Sequence, residues 1–161
     1  TDQAAMIHGR EVAASIRNNL FIGTGAAIPL RVSQPHDRLR FENNLYWREG
    51  GPIQIVWGDR TFSNLREWRE GTGQELVRGK PTGFAQPPAL TSHASSVRAG
   101  ERVGVRTLRA FRPRAASPAN AGGLDLRKLF GLDGGGRDFA GAPVPSAGTL
   151  PLGAIGGQWG R

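Results

Sequence analysis

The chain has 161 residues, 38% of them hydrophobic, which is one domain's worth of sequence and enough to bury a core. It holds 24 glycines and 11 prolines but no cysteine, so turns dominate and neither a disulfide framework nor a thiolate metal site is available; no apolar run reaches the roughly 18 residues of a membrane span. The net charge of +8 is almost wholly arginine, since Lys80 and Lys128 are the only lysines, and such a surface can attract an acidic polysaccharide, nucleic acid or an anionic membrane without the sign choosing among them.

In chain order, Ser15-Ile16-Arg17-Asn18-Asn19-Leu20-Phe21-Ile22 returns as Arg40-Phe41-Glu42-Asn43-Asn44-Leu45-Tyr46-Trp47, shifted by 25 residues. The same shift places Ile28, Leu30 and Val32 on Ile53, Ile55 and Trp57, and sets Gln3, Ala5 and Ile7 beneath Ile28, Leu30 and Val32. Two segments obeying one period make a repeat, and a short period of alternating strands with no helix between them describes a β-solenoid. Each repeat reads as three strands, here Ile28 to Val32, Leu39 to Phe41 and Leu45 to Trp47. Alternation turns Ile28, Leu30, Val32, Leu39, Phe41 and Leu45 or Trp47 to one interior. Asparagine tolerates the left-handed backbone of a sharp bend, and its amide both donates and accepts, so Asn-Asn above Asn-Asn predicts a hydrogen-bonded ladder.

Ser63 to Glu70 reads as one helix, capped by Ser63 and ended by Gly71, with Leu65 and Trp68 on one face as a cover for the stack. Glu75 to Ser96, with Pro81, Pro87 and Pro88, reads as a surface loop, and Val103 to Leu108 as a strand. Ser117-Pro118 opens an ordered turn. Residues 120–161 hold 12 of the 24 glycines, which argues against regular structure there. Gly134-Gly135-Gly136 lacks the following Lys-Ser or Lys-Thr of a phosphate loop.

The two Asn-Asn-Leu-aromatic repeats resemble coils of the right-handed parallel β-helix proteins, the pectate-lyase-like class of carbohydrate-active enzymes. Phe62 to Glu75, with its helix and following Gly73-Gln74, resembles the segment that closes many bacterial members. Ala116 to Gly122, Asp138 to Pro143 and Gly153-Ala154-Ile155 are similar to the family's terminal segments, in that order. The resemblance spans residues 12 to 155. It implies an all-β chain: the last coils of a right-handed parallel β-helix (1–62), a short covering helix and turn (63–75), and a surface loop, last strand and irregular Gly/Pro-rich tail (76–161) packing on the coils as one domain, anchored by Phe130, Phe139, Leu152 and Ile155. It further implies a bacterial protein, extracellular or periplasmic, acting on polysaccharide as a lyase or glycoside hydrolase.

Substrate in this fold lies along the outer face of one sheet and its loops. The outward residues are then Met6, Pro29, Arg31, Gln54 and Val56, and the adjoining loops carry His8, Arg10, His36, Asp37, Asp59 and Arg60. Hydrolysis needs paired carboxylates, and elimination from a uronate needs a base with charge neutralisation. No carboxylate pair stands on those outward strand positions. Arg31 with His36-Asp37 is the remaining catalytic constellation, set against the plainer reading of a solvated strand arginine and a turn after Pro35. Arg31, Asp59 and Arg60 are candidate substrate contacts. Trp47 and Trp57 could stack on sugars, but their phase assigns them to the core.

No cofactor or metal site is expected, because no acidic cluster has the density that calcium requires. The basic residues are scattered and carry no nucleic-acid-binding motif. The chain begins inside a β repeat, and open coil ends expose unpaired edges, so N-terminal coils from the same parent chain or a second chain are the expected partner. Thr1 is read as the start of a processed or trimmed chain, with the main catalytic groups upstream. The alternative is a non-catalytic module that binds polysaccharide or serves as a stalk or adhesin.

Overall fold

A computed structural model describes residues 3–8, 13–91, 111–146 and 148–154, and the chain divides into two compact units, Thr1–Gln86 and Pro87–Arg161. Ten short strands and two short helices among the described residues make it an all-β protein.

In the first unit, β1 (Met6–Ile7), β4 (Leu30–Val32) and β7 (Ile55–Trp57) lie side by side and parallel. Their register is Met6 to Arg31 to Val56 and Ile7 to Val32 to Trp57. Two further parallel pairs keep the same offset: β2 (Ala14–Arg17) on β5 (Leu39–Glu42), and β3 (Leu20–Gly23) on β6 (Leu45–Arg48). Four parallel pairings at one offset are what the sequence repeat requires.

The bends between β2 and β3 and between β5 and β6 are made by Asn18 and Asn43, with φ of 56° and 60°. The asparagines stack as expected. Asn43 Nδ2 donates to Asn18 Oδ1 at 3.1 Å, and Asn19 Nδ2 to Asn44 Oδ1 at 3.2 Å, each across 25 residues. Beside them the Arg17 guanidinium meets the Glu42 carboxylate at 2.5 Å.

The interior list holds: Ile28, Leu30, Val32, Leu39, Phe41, Leu45, Ile53, Ile55 and Trp57 are buried. Two assignments need correction. Tyr46 is fully buried while Trp47 is half-buried, because the tyrosine hydroxyl has a buried partner that lets its ring turn inward. Pro29, placed outward by alternation, is buried because it stands outside the regular strand, against the backbone around Gly23.

At one end the stack closes. After β7 the Gly58-Asp59 turn, with Gly58 at φ 63°, sends β8 (Arg60–Phe62) back antiparallel. The helix α1 (Leu65–Thr72) follows. Its cap is Asn64, whose Oδ1 accepts from Glu67 N at 2.9 Å, and Gly73 at φ 70° ends it; Ser63 and Gly71 each lie outside those roles, since the first turn and the left-handed residue fall later in the chain. The amphipathic spacing is as expected: Leu65 and Trp68 are buried. Trp68 plugs the interior, with ring centroids 5.4 to 5.7 Å from Tyr46, Phe41 and Trp57, all edge-on.

Beyond α1 the expected loop contains a small antiparallel hairpin, β9 (Leu76–Val77) with β10 (Lys80–Pro81). It forms because Gly79, at φ 76°, supplies the turn between two residue pairs that can bond across it.

The second unit is built mainly of turns tied by side chains. Ser117 is buried and its hydroxyl donates to the Pro88 carbonyl and accepts from Ala119 N at 3.1 Å, while Asn120 Nδ2 donates to the Arg114 and Ala115 carbonyls, giving the expected turn. A short helix, α2 (Leu126–Phe130), occurs within the glycine-rich stretch. Its ends explain why: Asp125 caps it through Lys128 N, and Gly131 at φ 69° closes it. Backbone donors from Lys128 and Gly148 hold the Asp125 carboxyl below its usual range. Of the expected anchors, Leu152 is buried, Phe130 half-buried and Phe139 65% exposed. Val103 to Leu108 and Ile155 lie outside the described residues.

Candidate functional site

The most elaborate polar site in the first unit sits where the repeat stops. One period beyond Asn43 and Asn44 the chain has Trp68 and Arg69, so the asparagine ladder cannot continue in sequence. Gln74 and Glu75 take its place. Gln74 Oε1 accepts from Phe41 N at 2.7 Å and its Nε2 donates to the Leu39 carbonyl at 3.1 Å, while Glu75 N donates to the Phe41 carbonyl at 2.7 Å. One side-chain amide thus makes the bonds that a neighbouring strand would offer β5. Phe84 does the same for β6 with its backbone: Tyr46 N donates to the Phe84 carbonyl and Phe84 N to the Asn44 carbonyl.

The Glu75 carboxylate finishes the ladder. It accepts from Asn43 N at 2.5 Å, Asn44 N at 3.2 Å, Asn44 Nδ2 at 2.8 Å, the Tyr46 hydroxyl at 2.8 Å and Thr82 Oγ1 at 3.3 Å. Burial pushes its pKa up from 4.5, and the bonds from Asn44, Tyr46 and Asn43 offset part of that rise. Burial, reinforced by the charge of Glu75, raises Tyr46 well above 10. Gly83 lies so close, at φ 80°, that a Cβ there would meet Glu75 Oε2 at 2.7 Å, so the backbone passes only as glycine. Arg69 ties helix to hairpin by two bonds to the Thr82 carbonyl, at 2.7 and 3.2 Å. Glu75 is fully buried, so this carboxylate organises the stack's end and does not face a substrate.

The sequence-derived candidates lie elsewhere. Arg31 sits in mid-β4, half-buried, between Met6 and Val56; His36 and Asp37 lie in the turn before β5, where the His36 carbonyl accepts from Leu39 N at 3.2 Å and Asp37 is exposed. Among the described residues no hydrogen bond or ion pair joins Arg31, His36 and Asp37. Asp59 and Arg60 are exposed at the β7–β8 turn. The Arg60 guanidinium lies 4.7 Å from the Phe62 ring centroid and donates to the Gly71 carbonyl at 3.2 Å. It borders an open recess of about 580 Å³ lined also by Thr61, Glu67 and Glu70. His8, Met6, Gln54 and Val56 reach or partly reach solvent, and Arg10 lies outside the described residues. Trp57 is core, as its phase assigned it.

Sequence reasoning missed the Gln74-Glu75 centre. The available signal was the break in period at Trp68-Arg69, followed by a Gln-Glu pair between two glycines that can turn the chain.

Among the described residues no group of three or more His, Cys, Asp or Glu could hold a metal ion, and no helix is long and apolar enough to cross a membrane. Comparison with protein-family models, with curated proteins and with solved structures returned no match.

Proposed function

We propose that this chain is the closing end of a right-handed parallel β-helix from a carbohydrate-active protein that acts on polysaccharide by lyase or hydrolase chemistry. The observation that carries the reading is the common 25-residue register of four parallel strand pairs with stacked asparagines. The polysaccharide part of the reading rests on the resemblance of residues 12 to 155 to the pectate-lyase-like class. On this reading Arg31, half-buried between the exposed Met6 and the half-buried Val56 on the β1–β4–β7 sheet, meets the polymer, and Asp59 and Arg60 extend the contact at its edge. The +8 charge suits an acidic polymer, and the parent protein works outside the cell or in the periplasm.

A second reading, a non-catalytic module for polysaccharide binding or a structural role, draws support from two observations. The best-organised carboxylate, Glu75, is sealed inside the cap, and Arg31, His36 and Asp37 are not joined by hydrogen bonds. A panel of acidic and neutral polysaccharides, followed by unsaturated-product absorbance and by new reducing ends, separates the two. Product of either kind supports the enzyme. Binding without product supports the module, and neither binding nor product from folded chain refutes both.

A further inference from the structure

In the second unit, residues 131–136 run from the end of α2 to the bridge between Arg137 and Pro143, with no helix or strand among them, and all are exposed. Within that run Asp133 precedes Gly134, the one place in the sequence where an aspartate or asparagine is followed by glycine. Asp133 Oδ1 accepts from Gly135 N at 3.1 Å, and Oδ2 has no partner among the described residues. The bond to Gly135 bends the carboxyl group back over the intervening Gly134 peptide. Little shields that peptide: beyond its chain neighbours, a Cβ at Gly134 would touch only Leu150 Cδ1, at 3.8 Å.

We infer that Asp133-Gly134 is a site of spontaneous backbone modification, at which the chain converts to an isoaspartyl linkage through a cyclic imide. The Gly134 nitrogen attacks the Asp133 carboxyl carbon. An N–C bond forms, a C–O bond breaks, and the amide hydrogen leaves with the hydroxyl as water. A second water then opens the five-membered ring. Addition at the former side-chain carbonyl restores aspartate. Addition at the former main-chain carbonyl breaks the old peptide bond, so the chain runs on through the side-chain carbons and a free carboxylate stays on Cα. The two waters balance, and the step needs no oxidant, reductant or enzyme. Glycine decides the place, because a residue without a Cβ lets its nitrogen approach the carboxyl carbon and its backbone adopt the dihedrals of the ring.

The other aspartates lack this combination. Asp37 and Asp59 precede arginines, Asp125 a leucine and Asp138 a phenylalanine. Both Asp125 oxygens are engaged, by Lys128 N and Gly148 N, and Asp138 Oδ1 accepts from Ala142 N at 2.8 Å. The extra backbone atom at Asp133 falls outside α2 and outside the Arg137–Pro143 bridge, so the product keeps both. None of this rests on the polysaccharide reading.

The experiment holds the folded full chain at neutral pH in water enriched in the heavy oxygen isotope, then digests it with trypsin in ordinary water. Cleavage after Lys128 and Arg137 frees residues 129–137, in which Asp133 is the only aspartate. Passage through the ring exchanges one oxygen, so this peptide should gain one heavy oxygen. A fraction should also elute separately, with backbone fragmentation placing the altered linkage at Asp133. Peptides that hold Asp37, Asp59, Asp125 and Asp138 should stay unlabelled. Gly134→Ala, whose Cβ has room, should lose most of the label and of the isomer while unfolding at the parent temperature. Three results would each overturn the inference. One is a 129–137 peptide that stays unlabelled in the folded chain but is labelled in the urea-unfolded chain, another is label at Asp37 or Asp59 as fast as at Asp133, and the last is undiminished label in Gly134→Ala.

Discussion

Compare the first repeat with the second. Both carry the same apolar pattern and the same Asn-Asn bend, yet the second is buried and the first is not. The shared local pattern therefore sets strand and bend, while burial depends on what lies on the next edge. For β5 and β6 that neighbour is Gln74, Glu75 and Phe84, so a few side-chain and backbone bonds complete what a whole strand would otherwise supply.

The largest effect should come from removing the plug. Trp68→Ala empties the space facing Phe41, Tyr46 and Trp57 and should destabilise the first unit by about 3–5 kcal/mol in denaturant unfolding. A comparably large loss is expected for Glu75→Ala, about 3 kcal/mol or more, because Asn43 N, Asn44 N and the Tyr46 hydroxyl would be left buried without their acceptor.

Equal truncations in the two repeats sharpen the contrast. Leu45→Ala should cost about 2–5 kcal/mol, the range for a buried leucine, and Leu20→Ala in the same column clearly less, since Leu20 is only half-buried. Equal losses at both positions would show that the two ends are alike.

Two ionisations report on the cap. Because burial raises Glu75 above its unfolded value of about 4.5, its folded form favours the neutral acid; the associated stability is complete below that value and is lost as pH rises through the raised folded pKa. Stability measured from pH 4 upward should fall across that window, and Glu75→Gln should flatten the fall. Tyr46 is the only tyrosine in the chain, so alkaline absorbance follows it alone. It should remain un-ionised past pH 10 in the folded protein and titrate normally once denatured.

The smallest effect is expected at Arg17 and Glu42. Their ion pair is partly exposed, and Glu42→Gln should change stability by no more than about 1 kcal/mol, an effect reduced further by salt.

Much of the first unit was legible because its information is periodic. Ile28, Leu30 and Val32 announce their partners at Ile53, Ile55 and Trp57, and Asn18-Asn19 announce Asn43-Asn44. The cap was legible only in its place, where the period breaks at Trp68-Arg69; its bonding was not, because Gln74 reaches the backbone of Leu39 and Phe41 across non-local distances that no pattern in the intervening residues declares. Tyr46 escaped the alternation for the same reason, since its inward hydroxyl depends on Glu75. In the second unit α2 escaped because its caps, Asp125 and Gly131, outweigh a composition that argues against helix. Of the candidate site, the residues were nameable but their company was not: alternation put Arg31 on an outer face, while nothing local could say that His36 and Asp37 would not bond to it.

Nuclear Overhauser contacts read the parallel 25-residue register ending at Glu75 without perturbing the chain. Parallel pairing predicts contacts from Ile16 to Phe41 and from Phe21 to Tyr46, together with contacts from the Asn44 side-chain amide protons to those of Asn19 on one side and to the Glu75 methylenes on the other. Antiparallel contacts between the repeats, or an Asn44 amide near Asn19 but remote from Glu75, would contradict it.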